Sequence, residues 1–242
     1  MIFPLFLIFL GNCGLEDYPY IYPVPQSSIV QEMNNRAIVY LPASNSTAFN
    51  NFIIFYRIYV SDIPQASTTK NTYSAINSML SSDYNSISPY IDSDTHVNTN
   101  LDSLFTNRGY KYLQLDGVDI DAVLSSGSLG SALIFDFPAS AASELPTMTI
   151  GGSVYTLRRS NGNGVYNPQP PDRHFHNTEE LWNSANINAN TNADVVNKSN
   201  MSDGARYTYA AMFIAATGLD TNTWSFLYST PSLIHVFQLP DR

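Results

Sequence analysis

The residue with the most distinctive chemistry is Cys13, the only cysteine in a chain of 242 residues. It ends an uncharged N-terminal run whose apolar part spans residues 2–10. An apolar segment of about 7 to 15 residues is typical of a signal peptide, whereas a transmembrane helix needs about 20. A lone thiol directly after such a segment has no disulfide partner and can accept an acyl chain. We therefore predict a signal peptide over residues 1–12 and lipidation of Cys13; the alternative is an ordinary N-terminal segment with an incidental cysteine.

Two groups of polar residues have spacings that invite a metal-binding interpretation. His174 and His176 would share one face of an extended strand, but the proline-rich segment before them indicates a loop and no third ligand is adjacent. Asp116, Asp119 and Asp121 offer three carboxylates without the ligand spacing of a calcium loop. We interpret the histidines as an incidental exposed pair and the aspartates as part of a turn. No metal-binding residue is therefore predicted.

Motifs of common catalytic machinery are missing from the sequence. It contains neither G-x-S-x-G nor H-E-x-x-H, and the segment 125–131, Ser-Ser-Gly-Ser-Leu-Gly-Ser, lacks the G-K-[ST] ending of a phosphate-binding loop. That segment is predicted to be a flexible turn. General acid–base catalysis needs titratable groups that converge, whereas the histidines are scattered and most carboxylates lie in turn-like contexts. We predict no catalytic residue, no cofactor and no enzymatic activity.

Five aromatic residues near the C-terminus suggest either a binding surface or a packed core. They are Tyr207, Tyr209, Trp224, Phe226 and Tyr228. Exposed aromatic rings can line a surface for a carbohydrate or a peptide, but aromatic side chains more often pack in a core or an interface. The sequence leaves both interpretations open, with a protein or a glycan as the ligand in the first.

The composition limits the classes of partner. The formal net charge is −9, with 11 Lys and Arg against 20 Asp and Glu, whereas nucleic-acid binding depends on clustered basic residues. Charged residues make up 13% of the chain, about half of the usual fraction, so Ser, Thr and Asn must supply much of the polar surface. Hydrophobic residues make up 44%, and without a second cysteine their burial must stabilise the fold. We expect a folded core and no nucleic-acid partner.

Both ends of the chain have the composition of β-strands. Residues 36–41 and 51–61 are rich in β-branched and aromatic residues and are separated by a turn-rich segment. Residues 206–217 and 232–239 have the same character, with a break predicted over residues 218–223, Gly-Leu-Asp-Thr-Asn-Thr. We expect residues 51–61 and 206–217 to lie close together in one sheet, although they lie near opposite ends of the chain.

The middle of the chain, residues 64–204, is predicted to be an inserted α+β elaboration. Apolar residues recur at helical spacing between positions 73 and 87. A shorter helix is predicted over residues 101–107, with Asn100 as its cap and Gly109 as its stop.

Strands are also predicted within this middle region. They cover residues 110–115, 132–137 and 147–157, and the last folds into a hairpin at residues 151–152, Gly-Gly. Residues 183–204 are dominated by Asn, Ser, Thr and Ala, which predicts a mobile surface loop.

Several of these segments resemble known families. Residues 10–13, Leu-Gly-Asn-Cys, resemble the lipobox of bacterial lipoproteins, but Asn12 departs from it and no Lys or Arg precedes the apolar run. Spirochete lipoproteins are looser at the position of Asn12. The order of a strand, a proline-containing turn and then residues 55–61, Phe-Tyr-Arg-Ile-Tyr-Val-Ser, resembles the B and C strands of a fibronectin type III domain. Residues 215–232, with the final strand that follows them, resemble its F–G hairpin and G strand. The same two end segments, with the short lipobox, also resemble uncharacterised lipoproteins of treponemes and related spirochetes.

The resemblance implies a mainly β protein with a fibronectin III/immunoglobulin-like β-sandwich. Residues 13–30 are expected to form a Pro- and Tyr-rich tether and residues 31–242 a single elaborated domain. We expect a lipid-anchored protein on the inner or outer membrane of the cell envelope, either periplasmic or surface-exposed. Its expected role is adhesion, ligand binding or envelope structure. The alternatives are a solute- or glycan-binding protein with an aromatic pocket and an envelope hydrolase.

Overall fold

The computed structural model describes residues 19–32, 34–61, 82–83, 89–91, 97–138, 144–160, 174–176, 194–196 and 207–240. The predicted signal peptide and Cys13 lie outside these ranges, as does most of the helix predicted between positions 73 and 87. Ser82 and Asp83, which fall inside that predicted helix, are helical. No helix in the described ranges is both long and apolar enough to span a membrane.

The elements within these ranges are mostly strands. The strands are β1 (Ile29–Glu32), β2 (Arg36–Tyr40), β3 (Phe49–Ser61), β4 (Pro89–Ile91), β5 (Val97–Thr99), β6 (Lys111–Tyr112), β7 (Gln114–Leu115), β8 (Ala132–Asp136), β9 (Thr147–Ile150), β10 (Ser153–Arg158), β11 (Val195–Val196), β12 (Tyr207–Asp220), β13 (Ser225–Tyr228) and β14 (Ser232–Gln238). The α-helices are α1 (Asp102–Asn107) and α2 (Ile120–Val123), and 3-10 turns occur at Gln26–Ser28 and Ser126–Ser128.

Most of the strands belong to two sheets. The first sheet has the order β1-β2-β8-β9-β10-β7 and is antiparallel throughout. The second sheet has the order β11-β3-β12-β13, with β14 also paired to β12 and β6 paired to β3. β4 and β5 form a separate two-stranded sheet. The described part of the chain is therefore mainly β, with two sheets that share one core.

The longest pairing joins the two predicted end segments. β3 and β12 run antiparallel from the pair Tyr207 and Ser61 to the pair Gly218 and Phe49, which confirms that residues 51–61 and 206–217 share a sheet. The break predicted over residues 218–223 is present but starts later than predicted, because β12 continues to Asp220 and the turn covers residues 221–224. A side chain at Gly218 would overlap the carbonyl oxygen of Ala48. Glycine is required there by this close approach rather than by a turn.

Residues from the predicted insertion form part of both sheets. β8, β9 and β10 extend the first sheet from β2, so they are integral to the sheet that faces β3 and β12. The single strand predicted over residues 110–115 is divided, because β6 pairs with β3 in the second sheet and β7 pairs with β10 in the first. Leu113 lies buried between them and donates its N–H to the carbonyl of Ile54 at 2.8 Å. The chain changes sheets at this residue.

Three local predictions are confirmed. Gly151 and Gly152 turn the chain between β9 and β10. Their φ angles of 56° and 82° are both positive, as a tight two-residue hairpin turn requires. The short helix forms as α1; the side chain of Asn100 accepts the N–H of Asp102, and Gly109 has φ of 71°. The Ser- and Gly-rich segment over residues 125–131 contains the second 3-10 turn.

The second sheet is apolar on both faces. One face packs against the first sheet and contributes Phe52, Ile54 and Ile58 to the shared core. The other face contributes Phe55 and Phe213 to a second core, which α1 covers with Leu104. Because strand side chains alternate between faces, a strand buried on both sides is apolar almost throughout, and this explains the continuous apolar run of β12.

The N-terminal described segment packs on the sheets. Ile21 and Val24 are buried in the shared core. The side-chain amide of Asn45 bonds both the N–H and the carbonyl of Tyr22, each at 3.0 Å, and the rings of Tyr20 and Tyr22 meet edge to face. Residues 19–28, which fall in the predicted tether, thus lie against the folded domain, and β1 follows directly.

The prediction of a mobile surface loop over residues 183–204 is wrong at residues 194–196. Asp194 and Val195 are buried, and β11 pairs in parallel with β3. The rest of that predicted loop lies outside the described ranges. The sequence contained no signal for this pairing, because the two valines of β11 are too short a run to predict a strand.

Candidate functional site

A groove of about 390 Å³ opens at one end of the second sheet. Its floor carries Asn51 and Ile53 from β3, Thr217 and Leu219 from β12, and Phe226 and Tyr228 from β13. Its wall is formed by residues 112–115 and 118–121 of the segment that crosses between the sheets. Pockets for small ligands usually measure about 300 to 1,000 Å³. The groove therefore has the size of a site for a small ligand or for one group of a larger ligand.

The strand register places the floor residues on one face. Thr217 pairs with Tyr228 and Leu219 pairs with Phe226 across β12 and β13, and residues of one parity share a face. This is the face that α1 covers further along the sheet, where the rings of Phe105 and Tyr112 stack at 4.3 Å. Beyond that stack the face is left open as the groove.

The aromatic side of the groove combines an exposed ring with two phenols. Phe226 is 74% exposed, whereas Tyr112 and Tyr228 are half-buried. Burial, together with the charge of Asp102, raises the pKa of both phenols above its ordinary value. Both tyrosines are therefore neutral near pH 7 and present a ring and a hydroxyl to the groove.

The polar side of the groove is a short hydrogen-bond chain. The hydroxyl of Thr217 donates to Oδ1 of Asn51, and Nδ2 of Asn51 donates to Oδ1 of Asp121 at 3.1 Å. Oδ1 of Asp119 accepts the N–H of Asp121 at 3.0 Å and so caps α2. Partial burial and the neighbouring charge of Asp119 raise the pKa of Asp121. Its surroundings therefore favour the protonated form more than those of a free aspartate do.

The turn predicted around Asp116, Asp119 and Asp121 is present, but only two of these aspartates line the groove. Asp116 forms an ion pair with Arg158 at 2.9 Å and does not line the groove. Asp119 and Asp121 line it. The pattern of the sequence placed these residues in a turn without indicating that two of them face a cavity.

The two loop histidines are not an exposed pair, and that interpretation is wrong for His176. His176 is buried, with 7% of its surface exposed. His174 is half-buried, and its backbone forms an isolated antiparallel β-bridge with that of Arg158. Within the described ranges, no group of three or more His, Cys, Asp or Glu residues is placed to hold a metal ion.

The aromatic residues near the C-terminus divide between both interpretations. Tyr209 is fully buried in the second core, and Tyr207 packs against that core. Trp224 and Phe226 are each 74% exposed, and of the two Phe226 lines the groove. The sequence analysis did not predict Asn51, Tyr112 and Thr217 as site residues. A single polar or aromatic residue in a strand does not indicate which segments of the chain pack beside it.

Two buried carboxylates outside the groove are paired with arginine. Asp194 accepts from Nη2 of Arg159 at 2.6 Å, from Nε of the same residue at 2.8 Å and from the phenol of Tyr56 at 3.0 Å. Burial lowers the pKa of Arg159, but the charge and hydrogen bonds of Asp194 raise it on balance. Burial and the charge of Asp194 also raise the pKa of Tyr56. This cluster joins β3 to the end of β10.

The second buried carboxylate, Asp83, is held in the same way on the other face of the sheet. Its Oδ2 accepts from Nη1 of Arg57 at 2.9 Å and from the phenols of Tyr59 at 3.1 Å and Tyr110 at 2.9 Å. Each buried carboxylate thus has a cationic partner and several hydrogen bonds, which is what makes burial of a charge tolerable. We assign both clusters to stability.

Comparison with known proteins yields no assignment: no protein-family model, no curated protein and no solved structure matches the chain. The fold and the groove together define, in the described part of the chain, a mainly β protein with two packed sheets and a ligand-sized groove rimmed by aromatic and acidic residues.

Proposed function

We propose that this chain is a lipid-anchored lipoprotein of the bacterial cell envelope that binds a ligand in the groove and does not catalyse a reaction. The observation that carries the ligand-binding role is the groove itself, in which an exposed phenyl ring and two neutral phenols stand beside hydrogen-bonding carboxylate and amide groups. Aromatic faces with a few convergent polar groups are typical of sites for small organic ligands, glycans among them.

The anchor is supported by the N-terminal sequence. Cys13 follows an apolar segment of signal-peptide length, and residues 19–28 lie against the folded domain. Few residues therefore separate the acylated position from the domain, which would hold the protein close to the membrane. We place the protein on the inner or the outer membrane, in the periplasm or at the cell surface.

We further propose that the two sheets are an elaborated fibronectin III/immunoglobulin-like sandwich. The support is the antiparallel pairing of β3 with β12 and of β12 with β14, which joins the segments that resemble fibronectin strands. The strands β8 to β10 complete the opposite sheet.

The test of the anchor uses the full-length protein and its Cys13→Ala variant expressed in bacteria. We expect the wild-type protein to partition into the detergent phase and to gain the mass of its acyl chains, because each buried CH₂ contributes about 0.8 kcal/mol to membrane binding. The variant should remain in the aqueous phase or accumulate as an uncleaved precursor. Equal partition and equal mass of the wild-type protein and the variant would refute the anchor. Proteolysis of intact cells would show whether the protein is periplasmic or surface-exposed.

The test of the groove is a binding screen with defined oligosaccharides, peptides and amines, followed by NMR or calorimetry. Phe226→Ala should weaken any ligand found, because it removes the exposed ring of the rim. Val154→Ala is the matched control, since Val154 is 64% exposed on β10 and does not line the groove. Ligands whose affinity is insensitive to both substitutions would show that binding takes place elsewhere.

The pair of carboxylates in the groove is the observation that favours the hydrolase alternative. Glycoside hydrolysis uses two carboxyl groups, one of which acts as an acid and has a raised pKa, and the pKa of Asp121 is raised. Incubation of the wild-type protein with oligosaccharides distinguishes the two roles. Release of new reducing ends that is lost in Asp121→Asn would establish hydrolysis in place of binding.

A further inference from the structure

The charge of the groove indicates what kind of ligand it takes. Two of its lining residues, Asp119 and Asp121, are carboxylates, and none of the described residues that line it is Lys, Arg or His. A third carboxylate, Asp102, is close enough to influence the two groove tyrosines. A ligand that enters the groove therefore meets a negative field without a compensating protein cation.

This lack of a cation distinguishes the groove carboxylates from the two buried carboxylates of the described fold and from Asp116. The buried carboxylates Asp83 and Asp194 are each paired with an arginine, and the half-exposed Asp116 is paired with Arg158. No ion pair among the described residues includes Asp119 or Asp121. The carboxylates that line the groove are thus available to neutralise a bound cation.

The hydrogen bonds around Asp121 orient it toward a ligand. The hydroxyl of Thr217 occupies the amide oxygen of Asn51, so the Asn51 amide group donates to Oδ1 of Asp121. The other oxygen, Oδ2, accepts no hydrogen bond from the residues that the structure describes. The carboxylate is held in place by a neutral donor and retains an acceptor for a ligand N–H.

The aromatic rim adds a second kind of attraction for the same group. An ammonium group near the face of an aromatic ring is attracted by the negative π-face. Phe226, Tyr112 and Tyr228 supply three such rings, and Ile53 and Leu219 supply an apolar floor for the carbon skeleton that bears the charge. Carboxylates and aromatic faces together are suited to a positively charged amine and repel an anion.

We propose that the groove binds the ammonium group of an amine-bearing ligand, with Asp121 as the direct partner and Phe226 as the aromatic contact. The inference rests on the proposed ligand-binding function and names the chemistry of the ligand. An ammonium group can come from a lysine side chain or from an amino sugar, and paired probes separate these sources from each other and from neutral ligands.

The experiment uses the full chain and two pairs of probes whose members differ in charge. One pair is the α-N-acetyl-lysine amide and its Nε-acetylated form, and the other is glucosamine and N-acetylglucosamine. We expect the charged member of at least one pair to bind about tenfold more tightly than the neutral member, and high salt to reduce this difference. The pair that shows the difference identifies the source of the amine.

Substitutions then locate the partner. Asp121→Asn should weaken the charged probe about tenfold or more and abolish the preference for it, while Asp116→Asn, which removes a carboxylate outside the groove, should change the affinity less than twofold. Urea unfolding of both variants establishes that they are folded.

Two results would overturn the inference. If charged and neutral members bind equally, and Asp121→Asn has no effect while Phe226→Ala still weakens binding, the ammonium assignment fails and the groove remains a ligand site. If no charged probe shows saturable binding at millimolar concentration, the ammonium assignment also fails. The screen of neutral ligands with Phe226→Ala then decides separately whether the proposed function stands.

Discussion

Replacement of Asp194 by alanine should be among the most destabilising single changes in this protein. The carboxylate and the guanidinium of Arg159 form two hydrogen bonds, of 2.6 Å and 2.8 Å, and their side chains are 1% and 7% exposed. The substitution leaves the buried guanidinium of Arg159 without its counter-charge and the phenol of Tyr56 without an acceptor. Removing one partner of a buried ion pair costs about 3 to 5 kcal/mol.

That cost is large against the total stability of a domain, about 5 to 15 kcal/mol. Urea unfolding of the full chain, followed by tryptophan fluorescence and by circular dichroism, measures the difference in free energy of unfolding between Asp194→Ala and the wild type. The dependence of that free energy on urea concentration should be the same in both proteins, because the substitution changes an interaction and not the surface exposed on unfolding.

A surface pair in the same chain supplies the control. Asp116 and Arg158 are also joined at 2.9 Å, but the Asp116 side chain is 53% exposed. Asp116→Ala should cost at most about 1 kcal/mol, since exposed ion pairs contribute little. The double substitution Arg159→Met with Asp194→Leu should recover most of the loss, because it removes both charges together. Equal costs for Asp194→Ala and Asp116→Ala would refute the reasoning from burial.

Three further changes test other parts of the fold. Gly218→Ala should destabilise the protein by more than 2 kcal/mol, within the range of overpacking, because its Cβ has no room, whereas Gly127→Ala, whose Cβ would meet only ordinary contacts, should be nearly neutral in urea unfolding. Asn35→Ala should cost about 2 kcal/mol by thermal or urea unfolding, since the Asn35 amide bonds both the N–H and the carbonyl of Gln238; a neutral result would contradict the role of this bridge. Hydrogen bonds to Asp220 lower its pKa below the ordinary 3.8, so its contribution to stability is present above that pH and is lost as the pH falls through the lowered pKa. The free energy of unfolding of Asp220→Asn should therefore differ from that of the wild type at pH 7 and much less at pH 2. A stability difference that does not change with pH would show that the Asp220 carboxylate is not its source.

Part of the candidate site could be anticipated from composition and part could not. Phe226 and Tyr228 belong to an aromatic set that suggested a binding surface, and the cluster that holds Asp119 and Asp121 was recognised as polar but assigned to a turn. Asn51 and Thr217 carry no such signal, because each is a polar residue at the end of an apolar strand. Their meeting with Asp121 depends on the pairing of β3 with β12 and on the position of the crossing segment.

Local structure was determined by the sequence itself. The glycine pair sets the β9–β10 turn because both positions need positive φ, and the cap at Asn100 with the stop at Gly109 bounds α1. The alternation of apolar and polar residues indicates a strand and its faces, and the low content of Lys and Arg argues against a nucleic-acid partner. These features depend on neighbours within a few positions, so they can be inferred without the fold.

The tertiary structure alone decided which strands pair and what lies between them. Backbone hydrogen bonds are the same for every residue type, so the residues of 110–115 do not show that β6 and β7 join different sheets. Burial of His176 and Asp194 likewise depends on segments far away in the chain. The groove exists because one face of the second sheet continues beyond the cover of α1, and that is a property of packed layers rather than of any single segment.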